Sequence, residues 1–254
     1  MLLPRIIPIL LLKGKGLVKG VKFKDHKYVG DPINAVQIFN SKQVDELVFL
    51  DITATLEKRI PPLDLVQKIA DQCLMPFSVG GGIKTVDEAK SILNAGAEKV
   101  CLNTYALENP KLIEEISNVF GNQSVVVSID VKKSLFGKTI VTTRNGSKNL
   151  KTDLHETLKI VQDSGAGEIL LNNIDRDGTC EGYDLELLQS VCESISIPVI
   201  ASGGAWEIEH LKEGLQKGKA SAVAAGSMFV LHGKRKAVLI SYPDKEDLKL
   251  VRGN

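Results

Sequence analysis

Long apolar stretches are missing from this sequence. The opening Leu2-Leu3 and Ile6 to Leu12 run is interrupted by Pro4, Arg5 and Pro8 and falls well short of the roughly 20 residues that span a bilayer. No small-residue cleavage site follows it, so a secretory signal is not expected and the run reads as a buried strand. A surplus of charge is also missing: 32 Lys plus Arg stand against 31 Asp plus Glu, a formal net charge of +1. That removes the bulk-charge argument for a nucleic-acid partner, and neither a membrane nor a nucleic acid is expected as a partner. Cysteine is sparse and scattered. Cys73, Cys101, Cys180 and Cys192 form no Cys-x-x-Cys pair, which excludes a disulfide framework or zinc ribbon and makes a reducing cytoplasm the default. His26, His155, His210 and His232 are dispersed as well. They read as surface or capping residues, and no metal or cofactor is expected.

What is present is a repeated strand–helix rhythm. Apolar runs rich in Val, Ile and Leu occur at Arg5–Leu12, Glu46–Ile52, Pro76–Val79, Lys99–Leu102, Val125–Ile129, Glu168–Leu171, Pro198–Ala201 and Ser221–Ala225. Unbroken apolar runs mark parallel strands covered on both faces. Between them lie stretches of helical period, such as Leu63–Gln72, Val86–Ala95, Asp153–Ser164 and Glu207–Lys217. Thr85-Val-Asp-Glu and Asn109-Pro110 carry helix-start chemistry, and Gly96, Gly165 and Gly218 fall where C-capping glycines do. Eight such units in 254 residues fit a (β/α)8 barrel better than an open doubly wound sheet. Two segments interrupt the rhythm: Lys13–Asp31 reads as a Gly- and Lys-rich loop, and Lys132–Lys151, with Asn145-Gly146, as a small hairpin.

The chain also repeats internally. Glu46-Leu-Val-Phe-Leu-Asp-Ile and Glu168-Ile-Leu-Leu-Asn-Asn-Ile start 122 residues apart, as do Pro76-Phe-Ser-Val-Gly-Gly-Gly-Ile and Pro198-Val-Ile-Ala-Ser-Gly-Gly-Ala. A constant offset predicts one barrel domain, residues 1–254, built of two halves at about 1–122 and 123–254. Paired functional elements should then face each other across one mouth. Gly80-Gly81-Gly82 and Gly203-Gly204 end the third and seventh strands; Asn103-Thr104 and Gly226-Ser227 end the fourth and eighth. Glycine lets backbone N–H groups approach an anion closely, and following helix N-termini favour negative charge. Tight packing also explains a Gly-Gly turn, but two in register suit a phosphorylated small molecule with a phosphate at each end.

With these motifs assembled, Phe49-Leu-Asp-Ile-Thr-Ala, Phe77-Ser-Val-Gly-Gly-Gly-Ile, Gly167-Glu-Ile-Leu-Leu, Ile174-Asp-Arg-Asp-Gly-Thr and Ile200-Ala-Ser-Gly-Gly-Ala together resemble the cyclase subunit of imidazole glycerol phosphate synthase, a carbon–nitrogen lyase of histidine biosynthesis. The similarity runs from Met1 to about Phe229, and the tail from Leu231 departs, where Pro243 and the Ala237–Tyr242 run argue against a full eighth helix. The resemblance implies a heterodimer in which a separate glutaminase subunit docks on the N-terminal face of the barrel. Ammonia then passes through the barrel to a bisphosphorylated ribulosyl-formimino nucleotide. That substrate is split and cyclised to imidazole glycerol phosphate and an aminoimidazole carboxamide ribotide. The family's phosphate positions fall on Gly82, Asn103 and Thr104, and on Asp177, Gly178, Gly204 and Ser227. Lys19 falls where the family has a lysine that closes over substrate; Lys13, Lys15, Lys22, Lys24 and Lys27 around it read as a solvated face. Arg5, Glu46, Lys99 and Glu168 match four charges ringing the ammonia entrance, and the same residues also read as a neutral salt-bridged rim.

One departure stands at the catalytic pair. The family uses an aspartate at the end of the first strand and one at the end of the fifth. Asp130 supplies the second, but Leu11 stands in the first position, and no acid occurs between Ile6 and Leu12. Losing a general acid or base costs about 10² to 10⁴ in rate. The resemblance therefore points to a second-copy paralogue that channels ammonia to a third, ammonia-accepting enzyme, for example in surface-polysaccharide (lipopolysaccharide) sugar amidination. The alternative is a genuine cyclase working with Asp130 alone or with Asp51 as a stand-in. A sister-family phosphosugar isomerase also needs the missing aspartate. Cys101 reads as an inert buried thiol, Trp206 as packing beside the mouth, and Asp175-Arg176-Asp177 as a site turn or a salt-bridged one.

Overall fold

The structure is a computed structural model and describes residues 3–253; Met1, Leu2 and Asn254, which the sequence reading included in the barrel, lie outside the described residues. The first half of the chain forms β1 (Arg5–Lys13), β2 (Gly16–Val21), β3 (Lys24–Gly30), α1 (Pro32–Ser41), β4 (Leu47–Asp51), α2 (Leu63–Ala70), β5 (Phe77–Gly80), α3 (Val86–Asn94), β6 (Lys99–Leu102), α4 (Thr104–Glu108) and α5 (Lys111–Phe120). The second half forms β7 (Val125–Lys133), β8 (Thr139–Thr143), β9 (Lys148–Asn149), α6 (Leu154–Asp163), β10 (Glu168–Asn173), α7 (Leu185–Ser194), β11 (Val199–Ser202), α8 (Ile208–Gln216), β12 (Ala222–Ala225), α9 (Ser227–Val230), β13 (Leu231–His232), β14 (Ala237–Val238) and α10 (Lys245–Arg252).

Eight of these strands, in the order β1-β4-β5-β6-β7-β10-β11-β12, pair in parallel, and β12 closes on β1. They coincide with the eight apolar runs of the sequence. The reason is burial on both faces. Side chains such as Leu10, Phe49 and Val127 pack outward under the helices, while Ile7, Val48, Val126, Leu170 and Ile200 fill the barrel interior. The internal repeat reappears as hydrogen-bonding register: Leu47 pairs with Phe77 as Ile169 pairs with Val199, each partner 122 residues on.

Helix starts follow local chemistry. Thr85 Oγ1 accepts from the Glu88 N–H at 3.2 Å, and Asp153 accepts from Glu156 at 2.9 Å, which satisfies orphan donors of the first turn. Asn109 does not cap α5 with its side chain. Gly96 and Gly165 take positive φ past their helices, but at the end of α8 the left-handed residue is Lys219. Gly218 is required there by space instead, since a Cβ would lie 2.4 Å from Leu188 Cδ2.

Two sequence expectations are corrected. Lys13–Asp31 is not an open loop but the antiparallel hairpin β2–β3, continuous with the end of β1; its Val18 and Val29 are buried and give it an inner face that the lysine count obscured. The divergent tail does complete the ring of helices. Asp244 caps α10 through the Glu246 and Asp247 amides, and α10 is anchored when Arg252 binds Asp45 at 2.6 Å and the Pro4 carbonyl. Tyr242 just before it donates to the Ile6 carbonyl at 2.9 Å. The expected hairpin is present as β7–β8–β9, with Arg144, Asn145 and Gly146 all at positive φ in its second turn.

Candidate active site at the barrel mouth

The C-terminal strand ends open into a cavity of about 1200 Å³, counted out to open solvent. Lys19, Gly82, Asn103, Thr104, Asp130, Asp177, Gly178, Gly204 and Ser227 all line it, although they come from seven different segments. The two glycine turns are shaped by close approach. A Cβ at Gly82 (φ 69°) would lie 1.9 Å from the Arg59 carbonyl oxygen, and one at Gly204 (φ 114°) 2.1 Å from that of Gly182. Tight packing and anion binding are therefore compatible at these turns. Thr104 and Ser227 open α4 and α9 directly beside them, so free amide donors of helix starts border the same space.

Asp130 stands at the floor on β7. It is 8% exposed, and its two carboxylate oxygens accept from Asn172 Nδ2 and Asn103 Nδ2, each at 3.1 Å. Burial, reinforced by the charge of Asp177 and opposed by the two amide hydrogen bonds, pushes its pKa up to about 6. A carboxyl poised there can both hold and release a proton near neutral pH. Ser202 Oγ donates to Asn172 Oδ1 at 3.2 Å, which orients the amide toward Asp130.

Across the mouth the matching place is apolar. Leu11 pairs in register with Leu50 on β4, as Asp130 pairs with Asn172 on β10, and both leucines line the cavity. Asp51, next to Leu50 at the end of β4, is fully engaged. Its Oδ1 accepts from Thr53 N, Thr53 Oγ1 and Ala54 N, and its Oδ2 from Arg59 Nη1 at 2.6 Å. It fixes the β4–α2 loop.

The β2–β3 hairpin folds over the other side. Lys19, 7% exposed, donates to Asp177 Oδ1 at 2.6 Å, and Lys22 N donates to the Asp177 carbonyl at 2.9 Å. Gly178 lets it sit so close: a Cβ there would lie 2.4 Å from the Gly20 carbonyl oxygen. His26 on the same hairpin lines the cavity too, which the sequence reading missed by taking all four histidines as surface or capping residues. His210 does cap, its Nδ1 accepting from Trp206 N at 3.2 Å. Lys236 lies 5.9 Å from the Trp206 ring centroid beside the mouth. Cys101 is inert as expected, burial pushing its thiol up to about 12.

At the opposite end of the barrel Arg5, Glu46, Lys99 and Glu168 close into a ring of alternating charge. Arg5 binds Glu46, and binds Glu168 at 2.7 Å; Lys99 binds Glu46 at 3.1 Å and Glu168 at 3.2 Å. Burial alone would lower the Arg5 pKa, but Glu46 and Glu168 outweigh it and hold it above the usual value. Glu46, 2% exposed, also accepts from Ser78 Oγ at 3.2 Å.

This geometry defines a (β/α)8 barrel with an open mouth lined by polar and apolar residues at one end and a charged ring at the other. The family described as Histidine biosynthesis protein matches residues 5–235, and the chain belongs to that family. A Pseudomonas aeruginosa protein provisionally named imidazole glycerol phosphate synthase subunit hisF2 is 50% identical over 244 residues, covering 96% of this chain and 97% of its own. A Vibrio vulnificus protein provisionally named subunit hisF3 is 48% identical, covering 98% and 96%. Subunit HisF of imidazole glycerol phosphate synthase from Exiguobacterium sibiricum is 47% identical, covering 89% and 90%. The resemblance to the cyclase subunit, and the single barrel, thus stand as the sequence implied.

Proposed function

We propose that this protein is an ammonia-conducting barrel of the HisF type. A glutaminase subunit docks on the face bearing Arg5, Glu46, Lys99 and Glu168. The mouth holds a phosphorylated small molecule on Gly82, Asn103 and Thr104 at one end and on Asp177, Gly178, Gly204 and Ser227 at the other, with Lys19 closing over it. The interior between ring and mouth is packed with Ile7, Val48, Val126, Ile200 and Ala222, and an apolar interior favours neutral ammonia over ammonium because an ion would lose its hydration there.

The observation that carries the reading beyond family membership is Leu11. Ring closure with elimination moves protons at two places, and among the described residues Asp130 is the one carboxyl of the mouth without an ion-pair partner. Leu11 and Leu50 offer nothing that takes or gives a proton, Asp51 is held by Arg59 and Asp177 by Lys19. The protein therefore delivers ammonia to a third enzyme, one that amidinates a sugar of a surface polysaccharide, instead of cyclising a nucleotide. The mouth face also presents Leu135 and Phe136, fully exposed at the tip of the β7–β8 hairpin, where that acceptor would meet the emerging ammonia. The genuine cyclase is the second reading, favoured by Asp130 with its pKa near 6 and by the presence of every proposed phosphate-holding residue on the cavity lining.

The deciding experiment supplies purified protein with ammonium salt and the ribulosyl-formimino nucleotide. Negligible formation of imidazole glycerol phosphate supports the conducting role; turnover like that of ordinary cyclases establishes the second reading.

A further inference from the structure

We propose that His26 is an anion ligand of the mouth: its imidazolium joins Lys19 on the closing hairpin in holding the phosphate of the bound small molecule. This rests on the phosphate-holding mouth proposed above and adds a residue to it.

Three features of the structure support the assignment. First, His26 lines the same cavity as Lys19, Asp177, Gly178, Gly204 and Ser227, and its ring nitrogens have no hydrogen-bond partner among the described residues. A half-buried imidazole facing a cavity without a protein partner is free to take one from a ligand. Second, the hairpin makes room for it. His26 lies against Gly20, where a Cβ would come within 3.1 Å of the imidazole Cδ2 and 2.2 Å of the Lys24 carbonyl oxygen. The ring thus packs along the strand that carries Lys19 and travels with that lysine. Third, the cations around it outweigh the anions. Lys13 at the end of β1 and Lys19 on β2 face it as cations, and Asp25 on β3 and Asp177 in the β10–α7 loop as anions.

Burial, then Lys13 and Lys19, lower its pKa, against the smaller raising effects of Asp177 and Asp25. The free protein therefore carries a neutral imidazole at neutral pH. A phosphate dianion arriving between His26 and Lys19 adds negative charge, reverses the sign of the local field, and draws a proton onto the ring. Binding and proton uptake become linked. Such a mouth grips a phosphate ester more tightly as the pH falls toward 6, with the hairpin held down by two cations.

The test uses the full chain, with glycerol 3-phosphate and inorganic phosphate as probes. NMR follows the imidazole signals of the four histidines and the amides of Gly204 and Ser227 while probe and pH are varied. The expected result is that probe shifts the mouth amides and moves the His26 titration midpoint upward, while His155, His210 and His232 stay put. His26→Gln, whose amide spectrum outside the hairpin should be unchanged, binds the probes about tenfold more weakly at pH 6, the loss of one charge-assisted hydrogen bond. Because a phosphate ester itself gains charge as pH rises past about 6, the variant should bind better at pH 8 than at pH 6. The wild type should show that preference abolished or inverted. If the mouth amides respond to probe but the His26 midpoint does not move, the role assigned to His26 is wrong and the phosphate mouth survives. If no mouth amide responds at millimolar probe, the phosphate mouth itself fails, and the His26 assignment with it.

Discussion

Leu11 and Asp130 occupy equivalent places in the barrel: Leu11 is in register with Leu50 across β1 and β4, and Asp130 with Asn172 across β7 and β10. The hydrogen bonds just beyond them repeat too, Ile52 N to the Leu12 carbonyl and Ile174 N to that of Val131. The mouth is thus polar and proton-bearing on one side and apolar on the other. A ligand spanning it meets three carboxylates, of which Asp51 is paired with Arg59 and Asp177 with Lys19, so that Asp130, held by two amides, faces a leucine pair where symmetry would put a second unpaired acid.

Leu11→Asp restores the missing carboxyl without altering the backbone register. It should raise cyclase turnover, with ammonium salt as the nitrogen source, by at least about 10²-fold, the usual contribution of one general acid or base. Leu11→Asn, similar in shape but unable to exchange a proton, should leave turnover at baseline. Equal rates from the two variants would show that Leu11 is not what limits the chemistry.

Asp130 makes stability depend on pH in a defined direction. Its folded pKa of about 6 lies above the ordinary 3.8, so the folded state binds more protons than the unfolded one between these values. The fold has its full stability with respect to this group below pH 4 and loses it as pH rises through 6. The loss is on the order of 2–3 kcal/mol for a shift of this size. Urea melts of wild type and Asp130→Asn should converge near pH 4, with the variant relatively more stable by that amount at pH 7.5. A constant difference across the range would remove the carboxyl from the account.

The ring at the other end separates packing from recognition. Glu46→Gln leaves Arg5 and Lys99 without their most buried partner and should cost about 3 kcal/mol or more in chemical denaturation. Replacing Glu46 and Lys99 together by leucine removes one charge of each sign and keeps Arg5 paired with Glu168, so most of the stability should return. Capture of a glutaminase in co-expression should stay lost in both variants. A leucine pair that still recovers the glutaminase would make the ring a structural rim alone.

Lys19→Met tests the closed hairpin. Without the Lys19–Asp177 pair, backbone amide exchange over residues 16–30 should quicken by about tenfold, given the 1.5–3 kcal/mol usual for hydrogen bonds to charged groups. The amides of β7 and β10 should be unaffected.

Barrel and mouth were legible in the sequence to different depths. Each of the eight strands was visible because a strand buried on both faces must be apolar throughout, so β1 at Arg5–Lys13 and β12 at Ala222–Ala225 announce themselves. The glycine turns at Gly82 and Gly204 were visible because the backbone there permits no Cβ. The β2–β3 hairpin was not: its outer face carries Lys24, Lys27 and Tyr28 in water, and Leu17, Val18 and Val29 are the few apolar residues that mark the inner side. Nor was α10, whose anchor is a set of long-range bonds from Tyr242 and Arg252 to Ile6, Pro4 and Asp45.

The sequence by itself determined the class of fold, the 122-residue repeat and the absence of an acid on β1, since each is a local pattern of residue types. Only the tertiary structure decided which of those residues meet. Barrel closure brings Arg5, Glu46, Lys99 and Glu168 into one alternating ring, where paired charges offset each other's burial. It also locks Asp51 to Arg59 and Asp177 to Lys19, and so leaves Asp130 as the mouth carboxyl without an ion-pair partner among the described residues. And it swings His26 inward, because a hairpin docked on Gly178 points one face at the cavity whatever its composition suggests.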